Sequence, residues 1–190
     1  MSANFLDKNF GRFGNRCFQS FYLYTQFRDG NIPNWYLQDC KYFDKYRAEL
    51  QQMFGQGQKD DRISIHVRLG KNPSNPDEPA YMNNPFYVDL TSTLYYQRAM
   101  NLFPNDRFLI FSDDIEFCTG IFGGFDISFS EGKTEEEDFR AMANCKGHII
   151  ANSSFSYMAA YLGGGKTIYP KNWFTDGIQR VGVPTDWIGV

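Results

Sequence analysis

The sequence predicts an α/β fold, a parallel sheet with helices on both faces. Three observations carry that reading. Short apolar strands alternate with segments of helical period, as crossover connections between parallel strands require. The strands are apolar along most of their length, which suits burial on both faces. Polar residues gather where the strands end, and sheets of this class bind ligands beyond their carboxyl ends.

The clearest strand is Arg62-Ile63-Ser64-Ile65-His66-Val67, followed by a Gly-Lys-Asn-Pro turn. A second is Arg107–Phe111, closed by Ser112-Asp113-Asp114. Shorter strands are expected at Asp126–Phe129, His148–Ala151 and Thr167–Tyr169. Tyr87 to Leu102 carries Leu90, Leu94, Tyr95, Ala99 and Leu102 near helical period. Thr134-Glu135-Glu136-Glu137 is a capping box, opening a helix to about Cys145 with Phe139 and Met142 spaced for burial. Ser153 to Leu162 reads as a helix apolar on most sides, hence well buried. Gly163-Gly164-Gly165-Lys166-Thr167 looks like the end of a P-loop, but position 160 is Ala, and the segment follows a helix and feeds a strand. It is read as a helix stop. Pro73 to Pro79 is too proline-rich for helix or sheet and makes a loop at the mouth of any site.

These elements form a Rossmann-like domain over residues 59–190. Residues 1–58 differ and are read as a reduced N-terminal lobe. They hold one helix over about Asn15–Phe27 and another from Lys41 to Phe54, joined through Gly30-Asn31-Ile32-Pro33, with at most a short strand before Gly11. The aromatic-rich start (Phe10, Phe13, Phe18, Phe21, Tyr22, Tyr24, Phe27) either covers the sheet or packs against a twin chain as a homodimer.

Composition narrows the class of function. Of 190 residues, 42% are hydrophobic and 18% aromatic, which excludes a disordered chain. No run approaches the ~18 apolar residues of a membrane span. The net charge of -3 argues against a general nucleic-acid binder. The start, Met-Ser-Ala-Asn-Phe-Leu-Asp-Lys, lacks the pattern of a secretory signal, so the expectation is a soluble cytoplasmic protein. Cys17, Cys40, Cys118 and Cys145 show no CxxC spacing, and His66 and His148 are the only histidines, so a zinc site has no support. The cysteines are expected as free thiols.

Three segments carry chemistry. Ile65-His66-Val67-Arg68-Leu69-Gly70 ends a strand in an arginine, whose fixed fork of donors matches a phosphate; an arginine paired with a surface carboxylate is the simpler alternative. Ile149-Ile150-Ala151-Asn152-Ser153-Ser154-Phe155-Ser156 runs from strand through small polar residues into a helix, whose N–H groups and hydroxyls can cradle an anion. A plain serine N-cap explains only one of those residues. Gly11-Arg12-Phe13-Gly14-Asn15 permits close backbone approach at the start of a helix. Asp113-Asp114 offers too few oxygens for a hard cation and is read as a strand-end turn with an aspartate N-cap.

Taken in order, these segments resemble the α1,2-/α1,6-fucosyltransferase and protein O-fucosyltransferase superfamily, most closely the α1,2-fucosyltransferase family (glycosyltransferase family 11-like). The resemblance rests on Gly11-Arg12-Phe13-Gly14-Asn15 with Cys17-Phe18-Gln19, on Tyr36 to Phe43, and on His66-Val67-Arg68-Leu69-Gly70. It continues through Tyr95-Tyr96 with Ala99, Phe111 to Glu116, Asp138-Phe139 to Met142, Asn144-Cys145 through Ser156, and Tyr169 to Phe174. It implies the nucleotide-binding half of a GT-B fold and inverting, metal-independent transfer of L-fucose from GDP-fucose to a glycan acceptor, with no cofactor. On that resemblance Arg68 is the catalytic residue gripping the β-phosphate of the leaving GDP. Gly14, Asn15, His66, Asp113, Asp138, Asn152, Ser153, Ser154, Phe155 and Ser156 bind the nucleotide sugar, with His66 and Asp138 on guanosine. Asp138 lies sixteen residues before Ser154, the interval the superfamily keeps between its base-reading acid and its phosphate-binding serine.

Three departures stand out. Leu69 and Lys71 occupy places where the family usually has a second arginine and an aspartate. About a hundred residues are missing between the glycine loop and the Tyr36 segment, so the resemblance implies that residues 1–58 are a stub of the family's acceptor-side domain. No general base is evident. Two alternatives stay open: a transferase for another GDP-sugar, and a non-catalytic GDP- or glycan-binding remnant.

Overall fold

The computed structural model describes residues 14, 15, 17, 18, 21, 39–54, 59–70, 85–122 and 125–190. Six parallel strands form the sheet: β1 (Asp60–Val67), β2 (Phe108–Ser112), β3 (Ile127–Phe129), β4 (Cys145–Ile149), β5 (Lys166–Tyr169) and β6 (Ile188–Gly189). Their order is β3-β2-β1-β4-β5-β6. This is the order of a doubly wound dinucleotide fold, and the chain reverses direction across the sheet between β1 and β4. The expected Rossmann-like α/β architecture is therefore present.

Helices α1 (Arg47–Phe54), α2 (Tyr95–Met100), α3 (Ile115–Ile121), α4 (Glu135–Asn144) and α5 (Ser154–Gly163) accompany the strands, and the described residues Gly14, Asn15, Cys17, Phe18 and Phe21 are helical as well. Alternation along β1 sorts its side chains between two cores. Ile63, Ile65 and Val67 pack with Ile110, Ile149 and Ile168 under α2 and α3. On the opposite face, Leu109, Phe111 and Ile150 pack under α4 and α5, together with Phe18, Phe43 and Leu50. Helix α5 is buried from Ser156 through Leu162, as its all-round apolar sequence predicts. Phe18 and Phe43 meet edge-on with centroids 5.8 Å apart. Phe18 and Phe21 thus cover the helical layer; the other aromatics of the N-terminal segment lie outside the described residues.

Several elements differ from expectation for local reasons. The single helix expected over Tyr87–Leu102 is a 3-10 turn (Leu90–Ser92) followed by the short α2. Asp89 accepts from the Thr91 backbone N–H, and Thr93 then turns extended at φ -110, ψ 174. The Thr93 hydroxyl instead accepts from Tyr95 N–H, which restarts the helix. The Lys41–Phe54 segment likewise begins as 3-10 turns, the first capped by Asp39, and becomes α-helical only at Arg47. Strand β4 starts at Cys145, directly after α4, three residues earlier than expected. Asp114 is the expected aspartate N-cap, accepting from Phe117 N–H at the start of α3, whereas the two-residue β6 was not anticipated.

The glycine run after α5 is the expected helix stop. Gly164 and Gly165 adopt φ 68° and 88°, and a Cβ on Gly165 would stand 2.2 Å from the Lys146 carbonyl. Cys17, Cys40, Cys118 and Cys145 are all free thiols. Among the described residues, no helix is long and apolar enough to cross a membrane. The Gly11–Phe13 turn, the Gly30–Pro33 link and the Pro73–Pro79 loop lie outside the described residues.

Candidate functional site

The strand order reverses between β1 and β4, where sheets of this class open a crevice, and the residues there follow from sheet register. Val67 on β1 stands opposite Ser112 on β2. The next residues, Arg68 and Asp113, therefore leave the sheet side by side. The Arg68 guanidinium forms an ion pair with Asp113 through Nη1 and Oδ2, with side chains only 14% and 13% exposed. The other carboxylate oxygen accepts from the Leu69 backbone N–H at 2.9 Å. Arg68 is thus paired with a carboxylate, but one sheltered in the crevice rather than on the surface. Leu69, at the place of the family's second arginine, is 1% exposed and belongs to the apolar core.

His66 shares the Arg68 face of β1 and packs against Phe155 of α5, ring centroids 5.6 Å apart. It is buried, and its Nδ1 has no hydrogen-bond partner. Burial lowers its pKa to about 4, against a smaller pull upward from Asp113. The ring is therefore neutral at pH 7, with an orphaned buried nitrogen beside Arg68. Its backbone carbonyl accepts from the Tyr96 hydroxyl at 2.9 Å. Tyr95, the neighbouring residue, donates to the Ile150 carbonyl at 2.6 Å. The tyrosine pair thereby fixes the ends of β1 and β4, between which the crevice opens.

The second wall is the start of α5. Ser153 caps the helix by accepting from Phe155 N–H. Ser156 is fully buried, its hydroxyl accepting from Ala151 N–H and donating to the Ser153 carbonyl. Ser154 is half-buried at the first helical position. Gly14 lies directly against this turn: a Cβ there would be 2.3 Å from the Ser154 carbonyl carbon and 2.4 Å from the Phe155 nitrogen. That contact needs glycine, and it brings Gly14 and the adjoining Asn15 to the helix start. Asn152 is 3% exposed, and its side-chain amide donates to the Val88 and Trp173 carbonyls. Its NH2 group therefore tethers two loops.

Asp138 sits in the first turn of α4, and its carboxylate accepts from the Ser130 hydroxyl just beyond β3. A Cβ on Gly132 would strike that carboxylate at 2.1 Å. Asp138 is thus held at the β3 end of the row that Arg68 and Ser154 continue. Ser130, Gly132 and the contact of Asp113 with Arg68 escaped the sequence reading, and Tyr96 entered it only within the family resemblance. Ser130 had a legible signal, a small polar residue directly after an apolar strand. A cleft of about 510 Å³ lined by Lys45, Arg47, Gln51 and Asp186 lies by the Gly164-Gly165 turn leading into β5, at the opposite edge from these residues.

The groups gathered at these strand ends are an arginine held by a carboxylate, a helix start approached by a glycine, a buried histidine nitrogen and an outlying carboxylate. The chain is 40% identical over 123 residues to an alpha-1,2-colitosyltransferase of Escherichia coli, covering 59% of this chain and 41% of that protein. It is 25% identical over 141 residues to the O-antigen biosynthesis glycosyltransferase WbnK of Escherichia coli, covering 67% and 44%. It is 27% identical over 146 residues to the human galactoside alpha-(1,2)-fucosyltransferase 1, covering 68% and 38%. The matches thus span less than half the length of these relatives. A family match extends over residues 3–190, and the chain belongs to glycosyl transferase family 11.

Proposed function

We propose that this chain binds a GDP-sugar across the β1/β4 crevice and transfers an L-fucose-type deoxysugar to a glycan hydroxyl, with inversion and without a metal ion. One observation supports this above the others: Arg68 and the orphaned His66 Nδ1 converge with the Ser154–Phe155 helix start where the sheet order reverses.

The chemistry follows from those groups. As the sugar C1–O bond breaks, the sugar becomes oxocarbenium-like and negative charge collects on the β-phosphate of the departing GDP. Arg68, held by Asp113, directs fixed donors at that charge, and the helix start adds a second positive end. Groups already in place need no reorganisation during the reaction. The acceptor hydroxyl attacks the opposite face of the sugar, which inverts the anomeric centre, and its proton passes to the departing diphosphate, directly or through water. Asp138 reads the guanine N–H edge, for which a carboxylate is the matching acceptor.

The identity of the sugar admits a second reading, favoured by the 40% identity to a colitosyltransferase. Colitose is L-fucose without its 3-hydroxyl, so the two donors differ by one polar group. Likeness to a galactoside fucosyltransferase supports a galactose-terminated acceptor. The deciding experiment incubates the protein with GDP-fucose or GDP-colitose and lactose, without divalent metal, and follows GDP release and product linkage. Transfer from GDP-fucose supports the first reading, and transfer from GDP-colitose alone supports the second. GDP binding with no turnover of either would mark a non-catalytic remnant.

A further inference from the structure

We propose that an aromatic shelf formed by Phe86 and Tyr87, backed by the buried Phe174 and rimmed by the Arg180–Asp176 pair, is the subsite for the acceptor's terminal pyranose. The inference rests on the donor reading above, because the direction of the bound nucleotide places the reacting sugar.

That direction follows from the strand order. Ser130 and Asp138 mark the end of β3, Arg68 the end of β1, Ser153 and Ser154 the end of β4, and Phe174 the segment after β5. Neighbouring strands are about 4.8 Å apart, so each half of this row, β3 to β1 and β1 to β5, is about 10 Å long. A nucleotide with its base at Asp138 and its phosphates at Arg68 and Ser154 delivers its sugar on the β5 side. The acceptor hydroxyl must reach that sugar, so the acceptor must rest on what the β5 side presents.

What it presents is a rigid shelf in fixed register with the phosphate cradle. Tyr87 and Phe174 form an antiparallel bridge. Thr175 N–H donates to the Phe86 carbonyl, and Val88 N–H donates to Trp173, each at 3.1 Å. Asn152, one residue before Ser153, binds both Val88 and Trp173 carbonyls at 2.9 and 3.1 Å. The Thr175 hydroxyl also donates to the Pro85 carbonyl at 2.7 Å, and on the loops so joined Phe86 stands 44% exposed.

The surface chemistry fits a sugar ring. Phe86 lies 5.0 Å from Phe174 and 5.4 Å from Tyr87, ring centre to ring centre. An electron-rich aromatic face attracts the polarised C–H bonds lining one side of a pyranose, and the contact removes apolar surface from water. The Arg180 guanidinium lies 5.1 Å from the Phe86 ring centre and 4.9 Å from that of Phe174. It is forked onto Asp176 through both Nη atoms, at 2.9 and 2.5 Å. A charged donor and acceptor side by side match the vicinal hydroxyls at a pyranose edge.

The test measures lactose and N-acetyllactosamine binding by saturation-transfer NMR in the presence of saturating GDP, with GDP affinity measured separately by calorimetry. Phe86→Ala and Arg180→Ala should each weaken glycan binding at least tenfold and leave the GDP Kd within twofold. Phe86→Trp should retain glycan binding, which separates a stacking role from loss of structure. Glycan binding unchanged in both alanine variants, no glycan binding by the GDP-loaded wild type, or an equal loss of GDP and glycan affinity in Phe86→Ala would each overturn the subsite. Failure of the wild type to bind GDP, with glycan binding still lost in Phe86→Ala, would defeat the donor reading and keep the shelf.

Discussion

Asp113 and Arg68 join the ends of β2 and β1 through an ion pair almost closed to solvent. Such a pair adds little net stability, but removing one partner strands the other charge. Asp113→Ala should therefore destabilise the fold by about 3 kcal/mol, read as a shift in the urea midpoint. Arg68→Lys keeps the charge and loses the planar fork. It should lower the rate of GDP release from the donor about a hundredfold, roughly one lost transition-state donor. A lysine variant with wild-type turnover would remove Arg68 from the proposed chemistry.

Gly14→Ala tests the other wall. Its Cβ would overlap the Ser154–Phe155 peptide at 2.3–2.5 Å, and backbone on both sides cannot give way cheaply. The N-terminal segment must then move off the start of α5. The variant should bind GDP at least tenfold more weakly by calorimetry and should be cut faster by protease near its N-terminus. Unchanged values for both would show that Gly14 does not seal the crevice.

The Gly14 contact also shows what the sequence could and could not disclose. The strands and α5 were legible because burial on both faces leaves uninterrupted apolar runs. The capping box of α4 was legible because its two hydrogen bonds require particular residues at fixed spacing, Thr134 and Glu137. The glycine and serine segments were individually ambiguous, and only the fold brings Gly14 onto Ser154. The break at Thr93 was missed because its hydroxyl competes with the helix for the Tyr95 N–H, which apolar period cannot register. A carboxylate partner for Arg68 was expected, but at the surface and unnamed, since the register that places Asp113 beside it is a tertiary fact.

Asp138 and Ser130 make a graded prediction. Asp138→Ala should weaken GDP markedly and pyrophosphate little, because the carboxylate faces the base end of the row. Ser130→Ala should produce a smaller loss, since it only removes the hydroxyl that orients the carboxylate. A hydroxyl bond to a charged carboxylate contributes about 1.5 kcal/mol, or roughly tenfold in affinity. Calorimetry with both ligands decides the matter: equal losses for GDP and pyrophosphate in Asp138→Ala would end its base-reading role.

The two buried histidines give the fold a pH dependence of calculable sign. Burial lowers the pKa of His66 and of His148 to about 4, opposed at His66 by Asp113 and at His148 by its bond to the Gly164 carbonyl. Their surroundings nonetheless differ. His148 is fully satisfied, Nδ1 accepting from the Ser64 hydroxyl at 2.8 Å and Nε2 donating to Gly164 at 2.9 Å, whereas His66 Nδ1 has no partner. In the unfolded chain both titrate near 6.5, so between about pH 6.5 and 4 the unfolded state binds protons the folded state refuses. Their contribution is complete above pH 6.5 and is lost as the pH falls towards 4, at up to about 1.4 kcal/mol per pH unit for each ring. His66→Gln should flatten the curve of unfolding free energy against pH by about half of the histidine part between pH 6 and 4.5. Carboxylates titrate in wild type and variant alike, so the difference between the curves isolates His66. Parallel curves would mean that His66 is already charged or solvated in the folded protein, and the neutral nitrogen proposed at the nucleotide site would not exist.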